Sequence, residues 1–102
     1  MVTLLDPQYG NTALIMSAHR GRDSIVEALL ATGANKDAQS HVLPNVDPRG
    51  GGTALIAAAW KGHEGCVRLL MEVGADRSIK EVDGNTALDL ASTEAIKALL
   101  RS

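Results

Sequence analysis

Short apolar runs at helical spacing alternate along the chain with stretches punctuated by glycine. From Glu64 to Val73, the apolar residues Cys66, Val67, Leu69, Leu70 and Met71 fall at the steps that put them on one face of a helix. Ahead of them, Ala54 to Trp60 form a short Ala-rich helix, and the Thr53 hydroxyl is placed to cap its start. Gly62 separates the two helices, where a positive φ suits the end of a helix, and Gly74 closes the second. Asp76 to Asp83 have no helical period and lead to Gly84. The predicted unit is therefore helix, tight turn, helix and extended return.

That unit recurs. Thr12-Ala13-Leu14, Thr53-Ala54-Leu55 and Thr86-Ala87-Leu88 open three copies. Nine residues separate Thr12 from Gly21 and Thr53 from Gly62; twenty-one separate Thr12 from Gly33 and Thr53 from Gly74. The first copy predicts helices over Thr12–Arg20 and Asp23–Thr32. The third lacks four residues at the inter-helix turn, leaving Thr86–Ala91 and Thr93–Leu100 as its helices and Ser92 or Thr93 to cap the second. Helices this short are not stable alone in water. Their stability must come from stacking one pair on the next, which makes the chain a solenoid.

The motifs Gly10-Asn11-Thr12-Ala13-Leu14, Gly62-His63 followed by Cys66-Val67 and Leu69-Leu70, and Gly74-Ala75-Asp76 resemble the ankyrin repeat. The step of 33 residues from Thr53 to Thr86 is the ankyrin period. The resemblance runs from about Asp6 to Arg101. It implies an all-α ankyrin-repeat solenoid of helix–turn–helix pairs with hairpin-like fingers and a concave surface that binds proteins. On that register, residues 1–102 form one domain. It divides into the end of a preceding finger (1–9), a first repeat (10–39), an enlarged finger loop (40–52), a second repeat (53–83) and a shortened C-terminal repeat (84–102). The family's T-P-L-H becomes TALI, TALI and TALD. Ala54 stands where a proline would set φ in the first turn. Ile15 and Ile56 replace the family's histidine, so its bond with the threonine is absent, and Asp89 takes that slot in the last copy.

Composition narrows the function. Aromatic content is 2%, Tyr9 and Trp60, so the core must be built from Ala, Leu, Ile and Val, which suits closely packed helices. A net charge of −2 carries no basic footprint for nucleic acid. The single Cys66 excludes an internal disulfide and fits a reducing compartment, so the expected location is intracellular, cytoplasmic or nuclear. No apolar run approaches a membrane span, and no secretory signal opens the chain.

Enzyme chemistry finds little support. His63 and Cys66 share a helix turn, but a Cys–His nucleophile also needs a third group to orient the base. Cys66 occupies an aliphatic slot and reads as a small buried hydrophobe, while His63 matches the family's structural Gly-His. His19 and His41 do not complete a metal set by spacing. Gly50-Gly51-Gly52-Thr53 lacks the lysine of a phosphate loop, and the acidic residues form no pair for acid–base work. No cofactor is expected.

Three departures point to binding. The step from Thr12 to Thr53 is 41 residues, eight more than the period, and the excess lies in the Pro- and Gly-rich stretch 40–52. Such a stretch is either a tolerated loop or an elongated finger presenting Val42, Leu43 and Val46. By the family's register, Trp60 closes a first helix facing the concave surface, with His19 its equivalent in the first copy and Tyr9 at a finger tip. Trp60 reads equally as a plug on the neighbouring finger. The first copy also lacks the polar outer face of a terminal repeat: Leu14, Ile15, Met16, Ile25, Val26, Leu29 and Leu30 resemble an internal unit. That face calls for upstream repeats or a partner, including a second copy of the chain.

The resemblance thus implies a protein-binding adaptor, scaffold or stoichiometric inhibitor. Its concave face would be built from Gln8, Tyr9, Asn11, His19 and Arg20, then Arg49, Gly52, Trp60 and Lys61, then Val82, Asp83 and Asn85. The alternative is a self-associating segment of a longer array.

Overall fold

The computed structural model describes residues 7–39 and 52–101, with side chains at 13–39 and 52–101. The enlarged loop, Arg49 within it, and the side chains of Gln8, Tyr9 and Asn11 lie outside the described residues. Six helices follow in order: α1 (Pro7–His19), α2 (Asp23–Ala31), α3 (Ala54–Lys61), α4 (Glu64–Glu72), α5 (Ala87–Leu90) and α6 (Glu94–Arg101). Among the described residues there is no strand.

The pairs stack in two layers. α3 packs between α1 and α5 in one layer, while α2, α4 and α6 succeed one another in the second. Every residue of α3 from Ala54 to Ala59 is buried. A helix covered on all sides must be apolar all round, and alanines at 54, 57, 58 and 59 let its neighbours come close. This is why the chain needs so few aromatics. Leu14, Leu55, Leu70, Ile96, Val26 and Val67 fill the space between the layers, each with less than 2% of its surface exposed.

The threonines set the starts of the first helices of the later copies. The Thr53 hydroxyl accepts the Ile56 N–H at 3.2 Å. Thr86 and Asp89 form a reciprocal cap: Thr86 N donates to the Asp89 carboxylate at 2.9 Å, and Asp89 N donates to the Thr86 hydroxyl at 3.3 Å. In the slot where the family has histidine, Asp89 thus supplies a bond back to the threonine, whereas Ile15 and Ile56 are buried. Of the two residues offered as the α6 cap, it is Thr93 that accepts, from Ile96 N at 3.2 Å.

The first helix differs from expectation. α1 begins at Pro7, so Thr12 lies inside it and does not cap it. Proline fits the first turn, where its missing N–H has no helical acceptor and its φ is already helical. Gly10 weakens the following turn by only about 1 kcal/mol relative to alanine. Residues 7–9, read as the end of a finger, are therefore helical, and Tyr9 sits on a helix instead of a finger tip.

The hydrogen bonds to Asp89 carry a pH dependence. Thr86 holds its carboxyl below the ordinary 3.8 through its backbone N–H first and its hydroxyl second. A depressed acid stabilises the fold above its unfolded value and loses that contribution as falling pH protonates it. The thermal midpoints of wild type and Asp89→Ala are therefore expected to differ at neutral pH and to converge as the pH falls from 3.8 through the lowered value of the folded state. A gap that persists below that value in thermal melts followed by circular dichroism would refute the cap's ionic character.

Candidate functional site

The C-terminal ends of α1 and α3 lie side by side because the two helices pack against each other. They bring together residues a full repeat apart. The Trp60 ring is half-buried and lies 6.0 Å from the His19 ring, tilted by 54°. Lys61 extends its ammonium to 5.2 Å from the centre of the Trp60 ring, within range of a cation–π attraction. Arg20 and Lys61, the next residue in each copy, are exposed. The result is an aromatic pair, His19 and Trp60, with the Lys61 ammonium over the indole and part of each aromatic residue left exposed.

The strip does not continue into the third pair. The shortened turn puts Thr93 and Glu94 seven and eight residues after Thr86, and these begin α6 instead of ending α5. Val82, Asp83 and Asn85 lie on a separate segment, the turn before α5. Glu81, only 4% exposed, organises that turn: its carboxylate accepts N–H groups from Asp83 at 2.8 Å and Asn85 at 3.0 Å. Its own N–H donates to the Asn85 carbonyl at 2.9 Å, giving a hairpin-like return without a strand. Val82 stands out at 65% exposure and Asp83 is exposed, while Asn85 is half-buried. Gly52, grouped with the surface residues, is buried beside Thr53 at the start of α3, so it has little surface to offer a partner.

Successive returns are also joined to each other. The Asp37 carboxylate accepts the Asp76 N–H at 2.7 Å, and the Gln39 amide donates to the Lys80 carbonyl at 3.1 Å. These bonds couple the first and second returns, and so hold the finger side of the surface in one arrangement.

Sequence reasoning missed the seam between the first two pairs. His63 Nε2 donates to the His19 carbonyl at 2.9 Å, tying the start of α4 to the end of α1. The imidazole sits so close to Gly21 that a Cβ there would come within 2.5 Å of Nδ1, and φ at Gly21 is +72°. Gly65 leaves room in the same way for the Asp23 carboxylate. Asp23 in turn accepts the Cys66 thiol hydrogen at 2.9 Å. The only advance signal was a cysteine in an aliphatic slot.

That environment decides the chemistry of Cys66. The thiol is fully buried, and its pKa is pushed up to about 12, by burial first and then by its bond to Asp23 and that residue's negative charge. Nucleophilic sulfur is thiolate, so the group is inert at neutral pH. Folded protein is expected to leave a thiol-specific disulfide reagent unconsumed at pH 8 and to react fully once unfolded in guanidinium. Rapid labelling of the folded form would overturn this. Among the described residues no three His, Cys, Asp or Glu side chains gather to hold a metal, and no helix is long and apolar enough to cross a membrane.

Comparison with known families agrees with this architecture. A model described as ankyrin repeats (3 copies) matches residues 38–102, and one described as ankyrin repeat matches residues 9–41. The chain belongs to the ankyrin-repeat family. No curated protein matches it. Ankyrin repeats are in general non-enzymatic modules for protein interaction, typically intracellular, and the stacked pairs and linked returns here are the frame on which such a surface is carried. The family does not specify the partner, because function resides in the side chains grafted on the fold.

Proposed function

We propose that this ankyrin-repeat chain recognises a partner protein through the surface formed by the ends of α1 and α3 and the finger turn before α5. The observation that carries this reading is Trp60, the chain's one tryptophan, half-buried between His19 and Lys61. Tryptophan is enriched among residues that dominate binding energy, and here it has a rigid helix beneath it and cations beside it. Val82, Asp83 and Asn85 extend the surface, and Arg20 and Lys61 supply a basic fringe suited to an acidic partner, to which the sequence register adds Arg49. Tyr9, Gln8 and Asn11 belong to the same proposal through α1. The role is adaptor, scaffold or inhibitor in the cytoplasm or nucleus, with no cofactor.

The test is capture from cell lysate by immobilised wild type beside Trp60→Ala/Lys61→Ala, with matched helical circular dichroism. A protein held by the wild type alone, and released by salt, supports the surface. Equal capture by both removes it.

A second reading rests on Ile25. It occupies in the first pair the slot that Cys66 fills in the second; Cys66 is fully buried, whereas Ile25 is 48% exposed. A further repeat or a second copy of the chain would cover it. Light scattering decides between the readings: a dimer that Ile25→Asp converts to monomer favours self-association through this face.

A further inference from the structure

The layer of second helices carries a groove that the surface around Trp60 does not use. It lies between α2 and α4, has a volume of about 460 Å³ and is lined by Glu27, Leu30, Ala31, Leu69, Glu72 and Val73. Leu30, Ala31, Leu69 and Val73 make an apolar floor, and Val73 is 45% exposed.

The charge around this floor is of one sign. Both charged lining residues are glutamates, and both are exposed. Arg68, one turn before Glu72, is turned the other way, to Glu64 at 2.9 Å. The groove also runs along the last turns of α2 and α4, neither of which holds a basic residue. The C-terminal end of a helix carries about half a negative charge. Two such ends and two carboxylates therefore converge on one apolar groove. The third pair resolves the same situation internally: α6 has Arg101 in its last turn, and Arg77 Nη1 donates to the Leu100 carbonyl at 3.1 Å. At α2 the neutral Thr32 hydroxyl donates to the Leu29 carbonyl at 2.9 Å, and among the described residues the last turns of α2 and α4 hold no cation of their own.

We infer that this groove docks a segment of a partner protein in which a Leu- or Met-sized side chain stands one helical turn from an arginine or lysine. The apolar side chain lies on Leu30, Leu69 and Val73, and the cation reaches Glu27 and Glu72. This site is independent of the Trp60 surface and on the other helix layer, so one chain would join two partners.

The experiment uses the whole chain and a synthetic Ala-rich helical peptide carrying Leu and Arg four residues apart. Two twins serve as controls, one with Glu for Arg and one with Ser for Leu. Amide chemical shifts are followed by NMR during titration in about 0.1 M salt, where surface charges are only partly screened. The expected result is saturable binding at a single site, with shifts concentrated at Leu30, Ala31 and Leu69–Val73. The Ser twin should bind about tenfold more weakly, the scale of one apolar side chain left unburied, and the Glu twin and the Glu27→Gln/Glu72→Gln variant about fivefold more weakly, the scale of an exposed ion pair. Glu27→Arg/Glu72→Arg should weaken it further. Both positions are exposed, and unchanged helical circular dichroism verifies the fold of each variant. The proposal is overturned by equal binding of the Glu twin, by insensitivity to the glutamate substitutions, by shifts centred on Trp60 and His19, or by no binding at millimolar peptide.

Discussion

Trp60→Ala is expected to weaken partner binding by about 30-fold or more, the effect of a tryptophan that contributes roughly 2 kcal/mol or above. The ring offers an apolar face, and its place between His19 and Lys61 limits the rotamer freedom lost on binding. Removing it also leaves the Lys61 ammonium without its aromatic neighbour. The measurement is calorimetry with the captured partner. Lys61→Ala should cost less, and its cost should shrink in high salt, because an exposed charge contributes mainly a screened attraction. Trp60→Phe should restore part of the affinity. If Trp60→Ala leaves affinity unchanged while lowering the thermal midpoint, the ring is packing material, and the recognition surface lies elsewhere.

Leu55→Ala is expected to be the most damaging single truncation to stability, costing about 2–5 kcal/mol. Leu55 is fully buried in α3, the helix that touches α1, α4 and α5. A cavity there cannot be closed by moving one neighbour, because the neighbours on either side are held by their own pairs. Domains of this size hold about 5–15 kcal/mol in total, so the thermal midpoint should fall by on the order of 10–30 °C. Ile25→Ala is the comparison. It removes a similar volume from a side chain that is 48% exposed and should cost less than about 1 kcal/mol in the monomer. Urea unfolding of both variants checks the contrast. Similar costs would mean that Ile25 is covered in solution.

Leu55 and Trp60 give one helix two separate tasks. Leu55 serves the stack, and Trp60, five residues on, faces out at the end of the helix. Ala-rich α3 can do both because its small side chains let α1 and α5 approach, while Trp60 at its end lies beside His19 of α1 and stays half-buried. The short third pair ends this strip on one side, since its shortened turn starts α6 where a third surface residue would stand.

The amino-acid sequence by itself determined the repeat, the order of the helices, the cap at Thr53 and the position of Trp60 near the end of α3; it narrowed the α6 cap to Ser92 or Thr93, and the structure assigned Thr93 and the Thr86–Asp89 box. These follow from interactions within a few residues: apolar spacing, a hydroxyl one turn from an N–H, and glycine after the last turn. The start of α1 was misread by the same local logic. Thr12 matches the capping threonines, but the residues ahead of it also accept helix, and a threonine caps only where the preceding chain leaves the helical conformation. The tertiary structure alone decided the contacts made across a repeat. The Cys66 bond to Asp23 and the His63 bond to the His19 carbonyl span 43 and 44 residues. The approach of His19 to Trp60 and the acidic groove between α2 and α4 likewise join residues of successive repeats. No spacing along the chain encodes them, because each depends on how one helix pair settles on the next, and that is fixed by packing the whole core at once.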